Sequence, residues 1–186
     1  LKGFHKGAPG SQGDPLPWPA AVEVCVWLSA SGSHSYKQAA QALVIGFDGY
    51  LRPSEVLSLT AASVHVSASR PTATAGRVAV TICSFSDTSG YAAAKRTKSE
   101  EYDDSVVFGD AASIAANRGF VADLLIRLKS KHRLRQKLFD QSVVEFEAAF
   151  QAALEALGLR RLLCSPHSMR HGGPSTDFYG NHRDLL

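Results

Sequence analysis

The sequence predicts an α+β domain that is mainly α-helical and carries a small three-stranded antiparallel sheet. Three observations lead there. Apolar residues recur at helical spacing near residues 35–50, 112–132 and 141–157. Between the first two of these stretches the pattern changes to short β-branched or alternating runs separated by Ser, Thr, Gly and Lys. At 186 residues the chain suffices for one well-filled core and is short for two.

Residues 1–19 read as a linker. From Gly7 to Pro19 the composition is Gly, Pro, Ser and Asp, with Pro15, Pro17 and Pro19 alternating, which suits an extended tether. The domain then occupies residues 20–186. Ala20 to Ser29 predicts a first helix, although the alternation in VEVCVWL also fits a strand. Ser35 to Tyr50 predicts a second, with Tyr36, Ala39, Ala40, Leu43, Phe47 and Tyr50 as one buried stripe. After a break at Gly49 to Arg52, Pro53 at a first helical position starts a short helix through Leu59, with Glu55 in its first turn.

Val64–Val66, Arg77–Phe85 and Ser105–Phe108 predict the three strands. Between the second and third lies a polar loop with Lys95, Arg96 and Lys98 at its centre. A single helix is expected over Ala112 to His132, with Phe120, Leu124, Leu125 and Leu128 inward and a basic tail from Arg127 to Arg135. Another is expected from Gln141 to Leu157, stopped by Gly158. Ser165 and Pro166 match a cap and first position for a last helix carrying His167, Arg170 and His171 on one face.

A formal charge of +3 and a pI near 8.8 permit nucleic-acid binding without demanding it. Cys25, Cys83 and Cys164 are far apart and odd in number, so they read as reduced thiols of an intracellular protein. No apolar run approaches the roughly 18 to 20 residues that a membrane helix needs, and the start lacks the plan of a secretion signal. The expected location is intracellular, nuclear in a eukaryote or cytoplasmic in a prokaryote, with no membrane partner. Met169 is the only methionine, so the chain reads as a fragment, a processed form or an incomplete gene model.

Two short segments carry the chemistry, GYLRPSEVLSL around Arg52 and SPHSMRHGG around His167 and Arg170. A guanidinium is a planar, permanently charged fork whose donors match two phosphate oxygens. Two of them at one phosphodiester would hold it and favour its more charged transition state. Taken alone, Arg52 reads as a tie to Glu55 or a carbonyl, and His167 as a capping residue. Their pairing with Arg170 changes the reading. Cys164, His167 and His171 form a C-x2-H-x3-H string without a suitable fourth ligand, so no metal is expected. No glycine-rich phosphate loop is present, so no nucleotide is expected, and no other cofactor is expected either.

These segments resemble the catalytic domain of the tyrosine recombinase (phage integrase) family. Arg52 with Glu55 resembles the family's first motif, and His167, Arg170 and His171 resemble its His-x-x-Arg motif. TKSEEYDDSVVF resembles the β-hairpin that carries the family's lysine, with Lys98 in that position and Lys95 as its competitor. The resemblance covers roughly residues 20 to 180. It implies a domain for DNA integration or recombination that acts on double-stranded DNA through a phosphotyrosyl intermediate. Arg52 and Arg170 would clamp the phosphate, Lys98 would protonate the departing 5′ oxygen, and His167 would assist proton transfer or steady the phosphate. Glu55 and His171 would support them.

The family's nucleophilic tyrosine lies well beyond its His-x-x-Arg helix, whereas this sequence stops sixteen residues after Arg170. Tyr179, nine residues after Arg170, is too near to serve and is expected to be structural. No nucleophile is therefore expected in this chain, which would bind a phosphodiester without cleaving it. The alternative is a non-catalytic DNA-binding or protein-interaction remnant of such a domain. Family membership would also imply a homo-oligomer assembled on DNA.

Overall fold

A nearly all-round buried helix is the axis of the fold in the computed structural model, which describes residues 14–67, 77–82 and 104–180. The helices are α1 (Trp18–Ala30), α2 (His34–Asp48), α3 (Pro53–Ser58), α4 (Ala111–Ala115), α5 (Phe120–Lys131), α6 (Val143–Ala156) and α7 (Ser168–Gly180). The strands are β1 (Val64–Val66), β2 (Val78–Ile82) and β3 (Asp104–Phe108). The axis is α2, with α1, α3, α5, α6 and α7 packed around it. From Gln38 onward only Gln41 of α2 escapes full burial. The expected one-sided stripe is thus a sequence effect of small residues: Ala39, Ala40, Ala42 and Gly46 let neighbours approach on the other sides. Phe47 has no exposed surface, a burial that stabilises the core by about 1.5–3 kcal/mol.

The sheet is antiparallel in the order β1-β2-β3, with Val64 opposite Val80 and Val80 opposite Val106. Val64, Val78, Val80, Ile82 and Phe108 are buried toward the helices, whereas Val66 and Val107 are exposed. Among the described residues the architecture is therefore mainly helical with a small three-stranded sheet, as expected. The second strand was expected to reach Phe85; its observed pairing runs to Ile82, and 83–85 lie outside the described residues.

One expectation about helices is corrected here. The stretch 112–132 is two helices: Asn117 takes a left-handed φ of 58°, and Arg118 between them is fully buried. That break resets the register of α5, which buries Val121, Ala122, Leu125 and Leu128 and leaves Phe120 45% exposed and Leu124 half-buried. The basic tail is shared between helix and turn: α5 ends at Lys131, one residue before the expected His132, and Arg133 and Arg135 lie in a turn.

The tether also ends sooner than expected. Leu16 is fully buried, its N–H donates to the Ser168 carbonyl at 3.2 Å, and α1 begins at Trp18 rather than Ala20. Residues 1–13 of the linker lie outside the described residues.

The last two long helices dock for reasons written in their sequences. Phe146, Ala149, Phe150, Ala153 and Leu154 form the buried stripe of α6, which Ser142 and Glu145 start with a capping box and Gly158 follows at φ 67°. In α7 the inward positions are Met169, Gly172, Gly173 and Asp177. A Cβ on Gly172 would overlap the Leu16 carbonyl, and one on Gly173 would overlap the Phe47 carbonyl. The glycine pair thus brings α7 into backbone contact with α2 and the segment before α1. Arg170 and His171, next to the inward stripe, are left half-buried at its edge.

Candidate anion-binding site

Arg52 is placed by the junction between α2 and α3. Tyr50 turns the chain with φ 54°, Leu51 is buried, and the Leu51 N–H closes the end of α2 on the Gly46 carbonyl at 2.9 Å. Arg52 is then the extended residue before Pro53. It offers no acceptor of its own for a helix cap, and Glu55 compensates by accepting the Arg52 N–H on Oε2 at 2.7 Å. The Arg52 guanidinium returns to the same carboxylate, with Nη1 2.5 Å from Oε1.

Arg170 arrives from α7. Its Nη1 lies 3.5 Å from Glu55 Oε2, a contact spanning 115 residues of sequence. One carboxylate thus stands between two guanidinium groups whose side chains are 27% and 34% exposed, while Glu55 itself is 13% exposed. Neither guanidinium has another hydrogen-bonding partner among the described residues, so most of its donors are unused there. The Arg52 link is tight and the Arg170 link is long. An anion entering from solvent would therefore meet Arg170 as the more easily redirected fork.

His167 and His171 complete the cluster. The turn Ser165–His167 precedes α7, which starts at Ser168 rather than at Pro166; the Ser168 N–H donates to the Ser165 carbonyl at 2.8 Å. The two imidazoles meet edge-on with centroids 5.5 Å apart. His167 lies at the surface, yet partial desolvation lowers its pKa below the ordinary 6.5. The charges of His171, Arg170 and Arg52 push the same way, and Glu55 opposes them. His167 therefore feels both guanidiniums.

Of the residues expected at the site, Arg52, Glu55, His167, Arg170 and His171 come together. Lys95 and Lys98 lie outside the described residues. The described residues on either side of them in sequence, Ile82 and Asp104, pair in the sheet. That end of the sheet adjoins Ser63, whose carbonyl accepts from the Thr81 N–H at 2.9 Å. Tyr179 is on α7 with Arg170, and nine residues of helix give about 14 Å of rise and about half a turn of offset. It is 86% exposed, with its ring against Phe178. Among the described residues no three His, Cys, Asp or Glu side chains group as metal ligands. Cys164 faces inward, its thiol directed at the carbonyls of Asp14 and Leu162, and burial raises its pKa.

Sequence reasoning passed over the group that holds this site in place. Arg118 and Asp48 are fully buried and paired through Nε and Oδ1 at 2.8 Å. Arg118 Nη2 also bonds Asp177 on α7, and the Tyr50 hydroxyl donates to the same carboxylate. Ser113 Oγ on α4 lies 3.2 Å from both Asp48 oxygens. The guanidinium is further flanked by the Trp18 and Phe47 rings, each centroid 5.8 Å away. Tyr50 precedes Arg52 by two residues and Asp177 shares a helix with Arg170, so the network joins the two supports of the site. Asp48 directly after the apolar run LVIGF was the available signal.

No helix among the described residues is long and apolar enough to cross a membrane. Comparison of the chain with protein-family models, curated proteins and solved structures finds no match.

Proposed function

We propose that this chain is a tyrosine recombinase-like domain for DNA integration or recombination, which grips one phosphodiester of double-stranded DNA between Arg52 and Arg170. The convergence of the two arginines on Glu55, with His167 beside them, is the observation that carries the reading. Two forks with unused donors at a half-buried, water-accessible site suit an anionic ligand better than an internal structural pair would. In this reading Lys98, or Lys95 in its place, is the general acid, His167 assists proton transfer or steadies the phosphate, and Glu55 and His171 orient the others. Protomers would assemble on DNA.

A second reading, DNA binding without cleavage by these residues, is favoured by the offset of Tyr179 from Arg170 around α7. Strand cleavage then needs a tyrosine from outside the described residues. Incubation with nicked DNA tests this directly: no covalent adduct is expected, and an adduct mapped to Tyr179 would overturn the second reading. For the clamp itself, Arg52→Ala and Arg170→Ala should each weaken retention of a short duplex at low salt by about tenfold or more, as expected when a charged hydrogen bond is removed. If both bind like wild type with the fold intact, the clamp is wrong.

A further inference from the structure

The end of α5 and the chain that leads from it to α6 carry Lys131, Arg133, Arg135 and Lys137 within seven residues, and all four are exposed. None of these side chains has an ion-pair or hydrogen-bond partner among the described residues. The backbone that bears them is nevertheless firmly held. Arg133 to Gln136 form a turn closed by the Gln136 N–H on the Arg133 carbonyl at 2.8 Å. The carbonyls of Leu134 and Gln136 accept from Ala62 and Ala61 at 2.7 and 3.0 Å, and Lys137 bridges to Thr60. Beneath the turn, the Lys129 ammonium is spent on the carbonyls of Ala61 and Val64 at 3.0 and 2.5 Å. One lysine is thus used as structure, and its four neighbours are left uncompensated.

Unbalanced cations repel one another, by an amount that rises as salt is lowered, so such a cluster on an ordered turn is a cost to the isolated fold. Its position suggests what offsets that cost. Residues 59–62, to which the turn is laddered, directly follow α3, and Arg52 directly precedes it. The seven steps from Arg52 to Leu59 cover about 10 Å at the helical rise of about 1.5 Å per residue. Over that length a DNA strand presents roughly three phosphates, one per 3.4 Å of axis.

We infer that the segment Lys131–Lys137, the end of α5 with the turn that follows it, is a second DNA-backbone contact, which holds phosphates a few nucleotides from the one gripped by Arg52 and Arg170. The inference rests on the DNA reading above and adds the surface by which the duplex is held in line with the clamp. Such contacts position the duplex without reading its sequence. The exposed Leu134 at the tip of the turn offers only an apolar side chain, so the contact is electrostatic in kind.

The test is binding of a fluorescent DNA duplex, followed by anisotropy between about 50 and 200 mM salt. The variant K131Q/R133Q/R135Q/K137Q should keep its far-UV circular dichroism and bind about 10- to 100-fold more weakly at low salt. The slope of log K against log salt should fall by about 0.9 for each phosphate that the turn no longer neutralises, hence by about 2 to 4. If Arg52→Ala weakens binding while the four-residue variant matches wild type in affinity and slope, the turn inference fails and the clamp survives. If only the four-residue variant binds more weakly, the clamp fails and the turn survives. Wild-type binding to polyglutamate, or to no polyanion, in place of duplex DNA would overturn both.

Discussion

Arg170 Nη1 stands 3.5 Å from Glu55 Oε2, and that one contact ties the C-terminal helix to the start of α3 across 115 residues of sequence. The same carboxylate takes both the backbone N–H and the guanidinium of Arg52. Glu55 is therefore a spacer between like charges: it holds two cations near one another that would otherwise repel, while using only one donor nitrogen of each guanidinium.

The first prediction concerns Glu55. Glu55→Ala removes the acceptor for the Arg52 N–H as well as the counter-charge, so unfolding in urea should show a loss of about 1–2 kcal/mol, the range of a helix cap. Glu55→Gln keeps an oxygen acceptor and should lose less. Equal stability of Glu55→Ala and wild type would show that the carboxylate does not organise this junction.

The second follows from His167, whose pKa is lowered first by desolvation and then by His171, Arg170 and Arg52. A depressed folded-state value means that the unfolded chain binds the proton more readily. The contribution to stability is present above the ordinary value of 6.5 and is lost as pH falls through the folded value. His167→Gln should therefore flatten the stability profile on the acid side of 6.5. An anion bound by the arginines offsets their charge and should raise the His167 pKa, so binding takes up protons and strengthens as pH falls through this range. Titration of the His167 ring by NMR, with and without duplex, checks both signs. An upward shift in the free protein, or no change on adding DNA that binds, contradicts this account.

How much of this was legible in the sequence depended on the range of the cause. Local chemistry was readable: Pro53 and Glu55 marked α3, Gly158 marked the end of α6, and β-branched runs marked the strands. The gathering of Arg52, Glu55, His167, Arg170 and His171 was legible because two compact motifs carried it. The failures came from long-range partners. Nothing near Arg118 in sequence announces that Asp48 and Asp177 await it, so the break that turns it inward was hidden inside a helical pattern. Leu16 looked like part of a tether because the surface that buries it, at Ser168 and Gly172, is some 150 residues away. The all-round burial of α2 was masked by alanines, whose small size reveals close packing only once neighbours are present.

The last prediction tests that hidden network. Arg118 is fully buried between two fully buried carboxylates, so removing it leaves negative charge in the core without its counter-ion. Arg118→Ala should lose about 3–5 kcal/mol, a large share of the roughly 5–15 kcal/mol that an ordinary domain has. The effect has to be separated from a simple cavity. The triple variant D48N/R118M/D177N also discards the guanidinium but removes both charges and keeps an apolar side chain of length in its place. It should recover most of the loss, because a buried ion cluster replaced as a unit is often near neutral whereas a broken one is not. The urea midpoint reads the stability, and hydrogen exchange of α7 amides reads whether the helix bearing Arg170 stays docked. If the triple variant is no more stable than Arg118→Ala, the cost comes from weaker packing against Trp18 and Phe47, and the charges are not what fixes α7 in place.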